Sequence, residues 1–206
     1  MSGWAIVRGA GAGGALATPQ LGGSQAGVRI VRALDRRGRV AIVTRVAAAL
    51  DVRQQEAALG IEWRPTSAPV RVVAERRFGL ANQRGGPALG LVSGVSDVRL
   101  PADFRLDAYA QAGAVLRREV DAYADGEVRI MRPVAAVAGR TRLSLGVGVW
   151  GGAQREAQRL DVGPAAMIEL PLGRALRLRV ALEWRQRIVG NARPGSGPAL
   201  SIGTDY

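Results

Sequence analysis

The stretch from Arg174 to Tyr206 constrains the fold more than any other. It reads RALRLRVALEWRQRIVG, then NARPGSG, then PALSIGTDY. In the first segment Leu176, Leu178, Val180, Leu182 and Trp184 share one face, while Arg177, Arg179, Ala181, Glu183 and Arg185 share the other. Side chains alternate between two faces with a period of two only along a strand. A helix would smear the same residues around its circumference. Asn191 to Gly197 is turn material, rich in Gly, Pro and Asn. The last segment alternates again, with Pro198, Leu200, Ile202, Thr204 and Tyr206 against Ala199, Ser201, Gly203 and Asp205. Long two-faced strands with an aromatic at the chain end predict a transmembrane β-barrel. Leu200, Ile202 and Tyr206 are then expected to form the signal read by the barrel-assembly machinery.

The same alternation recurs upstream. Val40, Ile42, Thr44, Val46, Ala48 and Leu50 share a face, and Ala57, Leu59, Ile61 and Trp63 alternate with Glu56, Ala58, Gly60, Glu62 and Arg64. Further runs follow over Val70–Phe78, Ala88–Ser96, Phe104–Gln111, Tyr123–Ile130, Arg142–Val149 and Arg159–Glu169. Val28 and Ile30 sit opposite Arg29 and Val31, and Trp4–Arg8 is a short first strand. Turns rich in Gly, Pro and Asp separate them. Asp97 to Asp103, around Pro101, reads as a loop, and Met131 to Gly139, with Pro133, is ambiguous between strand and turn. This predicts an all-β, antiparallel up-and-down transmembrane barrel of about twelve strands, each of roughly 9–12 residues. Soluble strands average roughly 5–6. A stretch 1–19, one strand and a Gly-rich loop, is set apart from a barrel domain over 20–206.

Composition excludes more than it assigns. The chain has 29 basic residues against 17 acidic, a net charge of +12, and every basic residue is Arg. Aromatics are only 4% and the arginines are spread along strands among Glu and Asp, unlike the aromatic-interleaved patch of a nucleic-acid binder. There is no cysteine and no histidine. That removes disulfides, Cys- and His-ligated metals, Ser-His-Asp chemistry and the usual general base. No catalytic residue, cofactor or metal is expected. The one cofactor-like motif is GAGAGG, matching G-x-G-x-x-G at Gly9, Gly11 and Gly14. A dinucleotide site needs a helix next, and Pro19, Gly22, Gly23 and Gly27 would break it. A flexible hairpin loop is the plainer reading.

Two further expectations concern location. No apolar run is long enough for a transmembrane helix. Met1 to Gly14 lacks the basic and then apolar regions of a secretory signal, so a signal and a preceding segment are expected upstream. The location is then the outer membrane of a Gram-negative bacterium.

In a soluble sandwich the apolar faces would form the core; in a membrane barrel they would meet lipid and the charged faces would line the lumen. Periodicity alone does not separate the two. Strand length, the terminal aromatic and the matching of Arg with acids at similar heights favour the barrel. Its expected lumen lining is Glu62, Arg64, Arg71, Glu75, Arg77, Asp107, Tyr109, Glu127, Arg129, Arg142, Arg177, Arg179, Glu183 and Arg185, with charges satisfied by mutual pairing. Trp63, Trp184 and Tyr206 read as interface aromatics near strand ends. The competing readings are a soluble all-β binding protein and, on Gly9 to Gly14, a dinucleotide enzyme.

Four segments carry a family resemblance: LGGSQAGVRI (Leu21–Ile30), AALGIEWRP (Ala57–Pro65), VRVVAERRF (Val70–Phe78) and LEWRQRIVGNARPGSGPALSIGTDY (Leu182–Tyr206). They resemble the C-terminal outer-membrane barrel of large bacterial envelope proteins with tetratricopeptide repeats, including the bacteriophage-adsorption outer-membrane family and, more distantly, the cellulose-export subunit. The resemblance implies a non-enzymatic, porin-like barrel that serves exopolysaccharide secretion or phage adsorption. Its implied partners are outer-membrane lipid, the assembly machinery and an exopolysaccharide, and not nucleic acid. In such proteins a helical-repeat segment precedes the barrel and guides the polymer to it. That segment is not in this sequence.

Overall fold

A computed structural model of the chain describes residues 2–8, 24–49, 54–80, 84–137, 141–172 and 176–205. It contains twelve strands: β1 (Ser2–Arg8), β2 (Gln25–Ala33), β3 (Val40–Ala49), β4 (Gln54–Trp63), β5 (Val70–Gly79), β6 (Gly86–Arg99), β7 (Arg105–Leu116), β8 (Val120–Val137), β9 (Thr141–Gln154), β10 (Ala157–Pro171), β11 (Arg177–Gly190) and β12 (Gly197–Asp205). Each pairs antiparallel with its neighbours in the chain, and β1 closes the sheet by pairing with both β2 and β12. Ser2–Arg8 is thus a strand of the wall. Closure leaves no unpaired edge, which is what allows a sheet to stand in hydrocarbon.

Several strands run longer than their patterns predict, two of them past a bulge. β8 runs through Pro133 to Val137, with a bulge between Pro133 and Ala135 where it pairs with β9. β6 continues to Arg99 past a bulge between Val95 and Val98. A bulge admits one unpaired residue and resets the alternation, so each erases the period-two signal at the point where the strand continues. A short 3-10 turn, Pro101–Asp103, joins β6 to β7.

The pairing register fixes the faces. Glu62 lies opposite Ala41 and Val73, Val73 opposite Gly90, and Gly90 opposite Gly113, so all belong to one face. In a closed barrel that face is the interior, because it carries the buried residues: Ala41, Val43, Glu62, Val73, Val115, Met131, Ser144, Trp150, Asp161 and Glu183 are all buried. Ile42, Leu59, Ile61, Trp63, Leu89, Leu91, Val147 and Leu182 point the other way and are exposed. This arrangement inverts that of a water-soluble domain, whose charges face out and whose large aliphatic side chains face in.

The turns form two ends. One end carries the β3–β4, β5–β6, β7–β8, β9–β10 and β11–β12 connections; the other carries both termini and the β2–β3, β4–β5, β6–β7, β8–β9 and β10–β11 connections.

Candidate functional site: an arginine–carboxylate lumen

The interior is organised around six carboxylates, each paired with two or three arginines. Glu62 (β4) takes Arg71 (β5) at 2.9 Å and Arg29 (β2). Glu75 (β5) takes Arg77 at 2.6 Å and Arg45 (β3) at 3.0 Å. Glu56 takes Arg45 at 3.3 Å, Arg77 at 3.7 Å and Arg117, in the β7–β8 turn, at 3.1 Å. Glu169 (β10) lies between Arg142 (β9) at 3.0 Å and Arg179 (β11) at 3.1 Å. Glu183, 2% exposed, is held by Arg185 at 2.6 Å and by Arg129 (β8) at 2.8 Å. Asp161, fully buried, is held by Arg159 and by Arg187 at 2.6 Å.

Several of these bonds cross the lumen. Arg129 on β8 reaches Glu183 on β11, three strands round the wall. Arg179 on β11 reaches Asp107 on β7 at 3.4 Å and the Ser96 hydroxyl on β6 at 3.1 Å. Arg77 on β5 donates to the Tyr123 hydroxyl on β8 at 2.7 Å. Side chains so far apart along the wall meet only through the interior. Eight-stranded barrels are just filled by their side chains, whereas sixteen- to eighteen-stranded ones hold an open channel. Twelve strands fall between, and long arginines span the remaining width.

Glycines on the inner face make room for the inward aromatics. The Trp150 ring lies over Gly148, and a Cβ there would come within 2.4 Å of it. A Cβ at Gly113 would sit 2.8 Å from the Tyr123 hydroxyl. Arginines stack on both rings: Arg77 is 4.7 Å from the Tyr123 centroid and Arg185 is 4.6 Å from that of Trp150. Cation–π contact of this kind fixes a guanidinium plane as well as its charge.

At the mouth opposite the termini, the β11–β12 loop bends inward. Arg187 donates to the Ala192 carbonyl at 2.6 Å and the Pro194 carbonyl at 2.8 Å, while its Nε donates to Asp161. Its backbone N–H donates to the Ser196 hydroxyl at 2.9 Å. Asn191 ties the loop to the β9–β10 end by accepting from the Gln158 N–H and donating to the Glu156 carbonyl. The loop's backbone carbonyls therefore face a guanidinium rooted on the lumen side.

Of the lining expected from sequence, Glu62, Arg71, Glu75, Arg77, Asp107, Glu127, Arg129, Arg142, Arg179, Glu183 and Arg185 take part in these ion pairs, Glu127 through Arg129 at 2.5 Å. Tyr109 lies on the inner face opposite Glu127 and Gly94 but keeps 39% of its surface exposed. Arg64 and Arg177 lie at the rim with the termini and have no ion pair among the described residues. Sequence reasoning missed Arg29, Arg45, Glu56, Arg117, Asp161, Glu169 and Arg187. For Glu56 and Arg187 parity alone would have served, since each lies an even number of positions along its strand from Glu62 or Arg185; Arg29, Arg45, Asp161 and Glu169 lie on β2, β3 and β10, where no lining residue was expected.

Leu200 and Ile202 lie on the outer face, opposite Leu182 and Val180; Tyr206 and the Gly9–Gly14 motif are outside the described residues. That motif follows a strand paired antiparallel on both sides, not a strand of the parallel sheet that a dinucleotide fold requires. Trp63 ends β4 as expected. Trp184 is mid-strand, because β11 runs on to Gly190, although its neighbour Pro198 is the second residue of β12.

No family model matches the sequence, and no curated protein does. Solved structures similar to the whole chain include the NanC porin, at 8% identity and a TM-score of 0.46, with 98% of that chain covered. They also include the beta domain of the Bordetella autotransporter BrkA, at 12% identity, a TM-score of 0.46 and 97% coverage. A bacterial polysaccharide outer membrane secretin matches at 9% identity, a TM-score of 0.43 and 96% coverage. Each is matched over 100% of the present chain.

Proposed function

We propose that this chain is an outer-membrane β-barrel whose arginine-lined lumen is a narrow conduit for an anionic envelope polysaccharide. One observation carries the membrane part: in a closed sheet, most large aliphatic side chains, with Trp63 and Trp184, face out and most ionised ones face in. An exposed apolar belt of this extent is tolerated in lipid and not in water. The location is the outer membrane of a Gram-negative bacterium, reached through the barrel-assembly machinery.

The lumen supports the cargo class. Two nodes hold two guanidiniums against one carboxylate, Arg29 and Arg71 at Glu62 and Arg159 and Arg187 at Asp161, so these two retain positive charge. An arginine fork binds a carboxylate by two parallel N–H···O bonds. A carboxylate on a passing sugar chain can therefore replace Glu183 at Arg129 or Arg185 without leaving either charge bare. The resemblance to polysaccharide-export and phage-adsorption barrels favours the same cargo.

The test is conductance in planar bilayers. Wild type should pass small currents with anion preference, and Glu183→Gln or Glu75→Gln should raise that preference or relieve the block. A protein that inserts but never conducts, as wild type and as both variants, has a plugged lumen, and the conduit reading is then wrong.

A further inference from the structure

The lumen absorbs most of the charged side chains, but one cluster of arginines lies outside it. Arg32 is on the outer face of β2, in register with Ile42. Arg36, Arg37 and Arg39 occupy the β2–β3 turn, and all four are exposed. The turn is tied to the wall by the Arg64 backbone N–H, which donates to the Arg39 carbonyl at 2.7 Å. None of the four exposed arginines has a carboxylate partner among the described residues. The one acid in the turn, Asp35, is committed to the backbone, accepting the Val40 N–H at 2.9 Å. That bond holds its carboxyl below the ordinary carboxylate range.

The turn is built rather than loose. Leu34 N–H donates to the Val40 carbonyl at 2.8 Å, Gly38 N–H donates to the Asp35 carbonyl at 3.2 Å, and Gly38 takes a φ of +61°, which suits glycine. The arginines therefore project from a fixed frame. Directly below them on the wall are Ile30, Ile42 and Ile61, all exposed, and beside them is Trp63, at 50% exposure. An apolar wall, an interfacial indole and a set of uncompensated guanidiniums follow one another in the order in which a phospholipid presents acyl chain, glycerol and phosphate.

We propose that this corner of the barrel binds the headgroup of an anionic phospholipid in the leaflet at the terminus-bearing end, with an acyl chain lying along Ile30, Ile42 and Ile61. The inference rests on the membrane reading above. Charge complementarity and the adjoining apolar wall select a lipid over a soluble anion, which would gain nothing from the isoleucines. Guanidiniums near a membrane surface each favour anionic lipid by roughly fivefold, so together they give a marked preference.

The experiment folds the chain into vesicles of phosphatidylcholine, and of an equimolar mixture with phosphatidylglycerol. The barrel is then extracted in mild detergent, and the lipid it retains is weighed by native mass spectrometry. Wild type should retain phosphatidylglycerol over phosphatidylcholine by at least roughly tenfold. Arg36→Gln/Arg37→Gln/Arg39→Gln should lower that ratio towards one, and Arg118→Gln, in an exposed turn at the other end, should leave it unchanged. If the triple variant does not fold, Arg32→Gln replaces it, with a several-fold loss expected. Equal retention of the two lipids by wild type, or an equal loss in Arg118→Gln, overturns the site. Displacement of the lipid by millimolar inorganic phosphate, but not by chloride at matched ionic strength, makes it a site for a soluble anion. Binding of polyglutamate without lipid preference makes it a surface for an acidic protein. Failure to fold into either vesicle counts against the membrane reading instead.

Discussion

Leu182→Arg separates a lipid-facing wall from a water-facing one more cleanly than any other change. Leu182 lies within β11, in register with Ala166 on β10 and Leu200 on β12, and keeps 60% of its surface exposed on the outer face. Leu178, on the same face, is the second residue of β11 and too near the rim to report on mid-wall depth. In a bilayer, an arginine on the lipid face of a barrel costs about 2–4 kcal/mol at mid-depth and about 0–1 near the interface. Leu172, just past β10 and 51% exposed, supplies the rim control. In lipid, Leu182→Arg should shift the folding equilibrium by about 30- to 1,000-fold at about 1.4 kcal/mol per decade, and Leu172→Arg by under tenfold. In water the logic reverses. An arginine added at an exposed position changes stability by about ±0.5 kcal/mol or less and improves solubility. The assay is urea-titrated folding into phosphatidylcholine vesicles, read as the heat-modifiable gel shift of a closed barrel. Equal, small effects at the two positions, or a Leu182→Arg variant that folds without lipid or detergent, would refute the lipid-facing wall.

Other outcomes follow from the same geometry. Gly148→Val should displace the Trp150 ring and cost about 1–3 kcal/mol by overpacking, seen as a lower urea midpoint and a changed indole emission. Arg187→Ala removes the donor to Ala192, Pro194 and Asp161, so single-channel recordings should show larger and noisier openings; unchanged traces would mean that the β11–β12 loop does not narrow the mouth. With the termini in the periplasm, a cysteine at Ser196 should label in intact cells and one at Thr66 should not; the reverse pattern inverts the barrel. Asp35 has a lowered pKa because the ionised carboxylate accepts the Val40 N–H. Its support of the β2–β3 turn should therefore be complete above the ordinary value of 3.8 and lost as pH falls through the lowered one. Amide exchange at Val40 should rise in that acid window and not in an Asp35→Asn variant.

The strand number and the faces of the strands were legible in the sequence because period-two alternation is a local signal and a wall buried on neither side by other elements preserves it. Leu176 to Trp184 and Ala57 to Trp63 show it without interruption. Where the chain departs from ideal pairing the signal fails. Pro133 removes a backbone donor, and the bulge beside it flips the alternation, so the far half of β8 is ambiguous between strand and turn although it pairs with β9 to Val137. The signal fails likewise in β6 beyond Val95. Strand number and length predicted a barrel, but the pairing that closes it was not legible. It depends on Ser2–Arg8 meeting Gly197–Asp205 across the whole length of the chain, and no local pattern encodes a pairing at that separation.

Closure also decides what alternation leaves open. An amphipathic sheet offers two ways to use its faces, and each strand alone fits either one. Once the sheet closes on itself, a single interior exists, and its contents become a matter of register. Glu62, Asp161 and Glu183 fall inside together, with Arg71, Arg187 and Arg129 within bonding distance. A carboxylate in that interior with no partner at all would be a bare buried charge, which is strongly destabilising. The arginines therefore had to be matched to acids on strands up to four positions away in the wall. That matching explains why a chain with so many arginines spreads its acids over eight of the twelve strands. It also explains the exception at the β2–β3 turn: those arginines stand outside the closed volume, where nothing in the barrel is required to neutralise them, and the neutralising group is left to come from the surroundings.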